Sequence, residues 1–346
     1  MPEIPAENSP WGELEWRERA LAWVHEQIRR QGATVLAVDE PRLRAWSVIL
    51  RLRTSLGPLW FKANPPGSRF EAGLAGALSQ WVPGSVLTPL AIDAAQGWSL
   101  FPDGGQIMHK ALDAEPALSA WEELLRQYAG LQRAIAPHVE EMLRIGVPDL
   151  RANLLPARFA ELVDSELLRA QIGVPGGITP AQYAALASAG PALLAWCAQL
   201  GASSVPPTLD HSDLHEGQVF VAQDGRFVFF DWGDAGIAHP FASLLVAYRV
   251  AAKRFGLAPA DLDRLRDAYL EPWTAEHPVA ELRAQAELAV RLAAITRALS
   301  WGRIFPQAAQ LLGGDHGRSV AHWLLRVLAP ELIEPEGGNI GVPQAH

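Results

Sequence analysis

The stretch TLDHSDLHEGQVFV, residues 208–221, sets His211 and His215 among Asp210, Asp213 and Glu216, with apolar residues on either side. A second acidic stretch follows, FDWGDAG at 230–236, carrying Asp231 and Asp234. Between them QVFVA (218–222) and RFVFFDW (226–232) read as strands separated by QDG, a hairpin signal. A hairpin turns the chain back on itself, so Asp231 is expected to return beside residues 213–218. A carboxylate, a side-chain amide five residues later and a second carboxylate past a hairpin make the donor set of a phosphoryl-transfer site. In such a site Asp213 accepts or orients the proton of an attacking hydroxyl. Gln218 and Asp231 hold magnesium against nucleotide phosphates. Magnesium prefers hard oxygen ligands in near-octahedral geometry and keeps several waters, so it needs few protein ligands.

Working outward, residues 11–31 carry an apolar stripe (Leu14, Ala20, Leu21, Val24, Ile28) and predict an amphipathic helix. The period then shortens. ATVLAV (33–38), WSVILRLRT (46–54) and PLWFKAN (58–64) predict strands, with Arg51 and Arg53 alternating against Leu50 and Leu52. SRFEAGLAGALSQW (68–81) predicts a helix, and SVLTPLAI (85–92) and WSLF (98–101) two further strands, up to a break at PDGG, 102–105. Beyond it, helices are expected over about 115–145, 157–172, 180–200, 240–256, 260–271, 278–312 and 316–328. The hairpin supplies the only strands expected there. The fold class is therefore α+β: a small β-rich lobe over 1–105, then a large helical lobe over 106–346. A phosphoryl-transfer site also needs a cation from the first lobe. Lys62 ends a predicted strand, and Glu71, in the first turn of the next helix, is its candidate partner.

The chain has 346 residues, 49% hydrophobic and 19% charged, the balance of a folded protein. A formal net charge of −9 argues against non-specific nucleic-acid binding, which needs a basic surface. No run of about 18 apolar residues occurs, so no membrane span is expected. The acidic, proline-rich start MPEIPAENSP is unlike a signal peptide, and a cytoplasmic location is the default. The one cysteine, Cys197, lies in ALLAWCAQL and reads as a small buried hydrophobe. Nothing in the sequence calls for an obligate protein partner.

Strand lysine, helix glutamate, HSDLHEGQ and DWGD together resemble the aminoglycoside phosphotransferase family, the small-molecule branch of the protein-kinase-like fold. The likeness covers roughly residues 33–260. It implies a bilobal kinase-like fold and an ATP- and magnesium-dependent kinase of a small hydroxylated molecule: an aminoglycoside, a choline-like alcohol or an amino sugar. It makes Asp213 the catalytic acid/base, Asp231 the principal magnesium ligand, Lys62 the phosphate anchor and Glu71 its ion-pair partner. LFPDGG falls where the lobes join, so Phe101 to Asp103 are expected to offer backbone groups to adenine. The family pattern has asparagine where this chain has Gln218, one methylene longer. It also has a glycine-rich loop where this chain has DEPRLRAWS, which leaves Ser47 and nearby amides to meet the phosphates.

Plainer readings compete at each position. Asp213 suits a turn or cap, His211 a structural bond and His215 a loop cap. Ser68-Arg69-Phe70-Glu71 has the form of a capping box, which would take the Glu71 carboxylate away from Lys62. Asp234 suits a cap before IAHPF. His211, Asp213, His215, Asp231 and His239 would also supply a metal-dependent hydrolase. Gln218 and the missing glycine loop suit a catalytically impaired kinase-like protein that binds nucleotide without turnover.

Overall fold

The computed structural model describes residues 10–39, 42–44, 46–114, 117–303 and 314–328. They divide into two compact units: the first takes the described residues up to Gly105, then Val228–Gly233 and the described part of 302–313, and the second takes the rest. The chain thus passes from the second unit into the first for six residues that include Asp231, and returns at Asp234.

In the first unit, helix α1 (Leu14–Arg30) precedes an antiparallel sheet of β1 (Val35–Val38), β2 (Arg42–Arg44), β3 (Ser47–Thr54), β4 (Gly57–Ala63), β5 (Ala91–Asp93) and β6 (Trp98–Pro102). The order is β1-β3-β4-β6-β5, with β2 also on β3. Period-two alternation decides what each strand buries. In β3, Leu50 and Leu52 are buried while Arg51 and Arg53 are exposed. In β4, Leu59, Phe61 and Ala63 join the core formed with Ala20, Val24 and Ile28 of α1. Trp23 packs its ring 6.0 Å from Phe61, and Trp16 lies 6.1 Å from Trp98. Lys62, between Phe61 and Ala63, is therefore turned to the other face of the sheet. Helix α2 (Phe70–Trp81) follows β4 through a short turn of 3-10 helix at Pro66–Ser68. The expected strand 85–92 shrinks to Ala91–Asp93: Pro89, without an N–H, cannot join a ladder from within it.

The second unit is mainly helical: α3 (Met108–Ala114), α4 (Leu118–Ile135), α5 (Val139–Ile145), α6 (Leu155–Asp164), α7 (Glu166–Arg169), α8 (Pro180–Ser188), α9 (Gly190–Gly201), α10 (Leu244–Phe255), α11 (Pro259–Leu270), α12 (Val279–Ser300) and a last helix, Gly314–Leu328. Several expected long helices are broken. The 115–145 helix is interrupted by a 3-10 turn at Ala136–His138, where Pro137 removes a donor, and 180–200 is split ahead of Pro191. The helix expected over 278–312 ends at Ser300, and its positions 304–312 lie outside the described residues. Helix α3 was not expected.

The hairpin is present. Gly225, at φ +80°, closes the turn between β9 (Val219–Val221) and β10 (Phe227–Phe229), and Ala222 N–H donates to the Arg226 carbonyl at 2.9 Å. Three further strands occur where none were expected, the first being β7 (Gln106–Ile107), which pairs antiparallel with β9. β8 (Thr208–Asp210) pairs antiparallel with β11 (Gly236–Ala238), Asp210 opposite Gly236. β8 is tied to α4: the Gln132 amide and the Tyr128 hydroxyl both donate to the Leu209 carbonyl, at 2.8 and 3.2 Å. No single helix among the described residues is long and apolar enough to cross a membrane.

Candidate active site

The first unit gathers Lys62, Glu71 and Asp231. Lys62 Nζ donates to Glu71 Oε1 at 2.7 Å and to Asp231 Oδ1 at 2.5 Å. The lysine and glutamate side chains are 13% and 4% exposed, whereas Asp231 keeps 37%. Burial pulls the ammonium down, but the two carboxylates outweigh it and hold Lys62 above the ordinary lysine range. Burial pushes Glu71 up against the pull of Lys62, with Asp231 adding to the rise. The lysine is thus a fixed cation with one partner sealed in and one at the surface.

The capping-box reading of Glu71 fails on the geometry. The Ser68 hydroxyl donates instead to the Gly233 carbonyl at 2.9 Å, and the helix N-terminus has no side-chain cap. Glu71 Oε1 accepts the Trp232 N–H at 3.0 Å as well as the lysine. Glu71 and Ser68 therefore clamp the 231–233 segment from both sides. The clamp supports an unusual backbone: Asp231 has φ +65°, a left-handed conformation that costs a residue with a side chain of order 1 kcal/mol. A Cβ at Gly233 would lie 3.1 Å from Glu71 Oε2, so a larger residue there would press on the carboxylate that holds Lys62.

Phe101, in β6, pairs with Trp60, and Asp103 Oδ1 accepts the Gly105 N–H at 2.9 Å. Ser47 opens β3 opposite Arg44 and is only 4% exposed, so its hydroxyl offers little surface to a phosphate.

The second unit holds the loop after β8. Asp210, 1% exposed, accepts from the Ser212 N–H at 2.9 Å, the Ser212 hydroxyl at 2.7 Å and the Ser243 hydroxyl at 2.6 Å. These bonds hold Ser212 at φ +59° and turn the chain so that Asp213 leaves the strand direction. Asp213 Oδ1 accepts from Arg297 Nη2 at 2.7 Å, and its Oδ2 accepts from the Gln218 amide at 3.4 Å. Although burial raises it, the guanidinium of Arg297 and the nearby His215 and His211 hold the Asp213 carboxyl well below the usual range. It stands ready as an anion. Asp234, read as a cap, instead pairs with Arg297 Nη1.

His211 is fully buried with its ring 6.3 Å from Tyr128, as a structural residue would be. His215 caps the short turn Glu216–Gln218, accepting the Gly217 N–H at 2.9 Å, but from a buried position. His239 meets the Ser203 hydroxyl at 3.2 Å. Among the described residues, no group of three or more His, Cys, Asp or Glu side chains is placed to hold a metal, so the five-ligand hydrolase set does not assemble.

Sequence reasoning missed two charged residues. Glu216, 4% exposed, meets His109 Nδ1 at 2.6 Å and accepts from Arg254 Nη1 at 2.8 Å and Trp121 Nε1 at 3.1 Å. It fastens the loop to α3, α4 and α10. Removing one partner of a buried network costs about 3–5 kcal/mol. Glu216→Ala is expected to lower unfolding free energy by that order in urea titrations, and Glu216→Gln by less, since an amide oxygen still accepts from Trp121. Loss of under about 1 kcal/mol in the alanine variant would show that the network contributes little. The other missed residue is Arg297. Its signal is a single arginine in the apolar run LAAITRALS, and a buried guanidinium requires partners.

Known proteins share the family and the fold. The profile of the phosphotransferase enzyme family matches residues 48–282. Choline kinase LicA from Streptococcus pneumoniae aligns over 90% of this chain and 99% of its own, with a TM-score of 0.57 at 13% identity. The gentamicin–APH(2")-IIa complex aligns over 91% and 96%, with a TM-score of 0.57 at 11% identity. Macrolide 2'-phosphotransferase MphH from Brachybacterium faecium gives 0.53 over 88% and 98%, at 16% identity. At such identities the likeness establishes a fold: kinase-like, with a β-sheet N-terminal region and a helical C-terminal part. No curated protein matches by sequence.

Proposed function

Because the chain belongs to the phosphotransferase enzyme family, which matches 48–282 of its residues, we propose that it is a small-molecule kinase, moving the γ-phosphoryl group of ATP to a hydroxyl of a small acceptor. The observation that carries this reading is the lysine held by two carboxylates. Here Lys62 has a buried partner, Glu71, that fixes it, and a part-exposed one, Asp231, that brings a second carboxylate to the same cation.

The donors fit magnesium. Asp231 offers a charged hard oxygen. Gln218, whose NH2 group faces Asp213, retains Oε1 as a second oxygen. Magnesium, when bound, neutralises phosphate charge and favours transfer. Lys62 binds and orients the phosphates, and Phe101 to Asp103 offer backbone groups to the base. Asp213 accepts the proton of the acceptor hydroxyl as its oxygen bonds the γ-phosphorus and the bond from that phosphorus to the departing ADP breaks.

A magnesium titration of ATP binding tests the metal set. Gln218→Ala is expected to raise the magnesium requirement without changing the fold, and Gln218→Asn to preserve or lower it. An unchanged midpoint in the alanine variant would remove Gln218 from the ligand set. The activity is tested by phosphate transfer from radiolabelled ATP to a panel of gentamicin, streptomycin, spectinomycin, choline, ethanolamine and further alcohols. Magnesium-dependent ATP binding with no transfer to any acceptor or to water would replace the kinase with the impaired, nucleotide-binding reading.

A further inference from the structure

Arg297 has no place in the motifs, yet it is the closest cation to the candidate catalytic acid among the contacts of the second unit. It lies on α12 among Ile295, Thr296 and Ala298, all buried, and its own side chain is 8% exposed. A guanidinium taken so far out of water persists only where carboxylates compensate it. Nη2 donates to Asp213 Oδ1 at 2.7 Å, Nη1 pairs with Asp234, and Nη1 also reaches the Ser300 hydroxyl at 3.3 Å. The rings of Trp301 and Trp323 each lie 5.9 Å from its Cζ and wall it in. Burial disfavours its charge, but Asp213 and Asp234 more than restore it.

The two oxygens of Asp213 are thereby made unequal. Oδ1 is engaged by the strong, charge-assisted bond from Arg297. Among the described residues, Oδ2 meets the Gln218 amide at 3.4 Å and His215 Nε2 at 3.7 Å. Arg297 serves Asp213 and Asp234 through two separate nitrogens of one rigid fork, a planar geometry that a lysine ammonium does not reproduce.

We infer that Arg297 is the positioning residue of the site: its guanidinium bridges Asp213 and Asp234, holds the Asp213 carboxylate in one orientation and reserves Oδ2 for the acceptor hydroxyl. The acceptor hydroxyl rests on the phosphotransferase reading; the bridge and its effect on Asp213 do not.

The test pairs crystal structures with kinetics for the unmodified chain, Arg297→Met and Arg297→Lys. In Arg297→Met the Asp213 side chain is expected to leave its rotamer. The kcat for magnesium-ATP-dependent transfer, to the best acceptor of the panel or to water, is expected to fall about a hundredfold, the scale of a small misplacement of a reacting group. The KM for ATP is expected to stay within about twofold, because the phosphate lysine lies in the other unit. Arg297→Lys keeps the charge but not the fork and is expected to fall between. Millimolar guanidinium is expected to raise kcat of the methionine variant and not of the unmodified chain. An Asp213 rotamer unchanged in the Arg297→Met crystal, or an unchanged kcat, would overturn the inference. If that variant does not fold, Arg297→Lys decides it, and an undisturbed Asp213 with unaltered kcat there is equally fatal. Should the unmodified chain transfer no phosphate, the phosphotransferase reading falls, while the Asp213 rotamer still decides the role of Arg297.

Discussion

Asp231→Asn is expected to reduce magnesium-dependent phosphate transfer by at least about a thousandfold, the largest effect of any single substitution in this chain. Asparagine is the informative choice. Asp231 sits at φ +65°, and asparagine tolerates that conformation better than alanine, so the backbone is retained while the charge is removed. The substitution takes away the one charged oxygen ligand proposed for the metal. It also removes one of the two carboxylates around Lys62, leaving Glu71 at 2.7 Å to hold the lysine. ATP binding should therefore persist in part but lose its dependence on magnesium. Calorimetric titration of ATP with and without magnesium reads this directly. An Asp231→Asn protein whose ATP affinity still responds fully to magnesium would strike Asp231 from the metal site.

The second large effect is expected at Asp213. Asp213→Asn should lower turnover by at least about a hundredfold, with ATP affinity nearly intact, because positioned proton acceptors contribute on that scale. Asparagine retains shape and an oxygen for Arg297, but it is no longer a base. Lys62 and its partners lie in the first unit and Asp213 in the second, so the two properties are expected to separate. The cost in stability is expected to be modest, about 1–3 kcal/mol, since Arg297 keeps Asp234 as an anionic partner. Single-turnover kinetics with the acceptor found by the panel would measure it. Near-normal turnover would leave Asp213 as a structural partner of Arg297.

Some of this was legible in the chain and some was not. Lys62 was readable because period-two alternation in PLWFKAN puts Phe61 and Lys62 on opposite faces whatever lies beyond. The hairpin was readable from its QDG turn, and Asp213 and Gln218 as neighbours from their spacing. Glu71 was ambiguous: Ser68 and Glu71 form a valid capping box as sequence, and only the Gly233 carbonyl, 165 residues from Ser68, draws the serine hydroxyl away. β8 and β11, three residues each, are too short to show any period, and they form only because each finds the other.

By itself, the sequence determined the β-rich start, the helical remainder and the hairpin. These follow from local steric preference and from the period at which apolar residues recur. Tertiary structure alone decided which charge meets which. Arg297 reaches Asp213 across 84 residues, and Glu216 gathers partners 38, 95 and 107 residues away. Periodicity records that a side chain will be buried. It carries no information about the partner that burial then requires, because that partner is supplied by how distant helices and loops pack together.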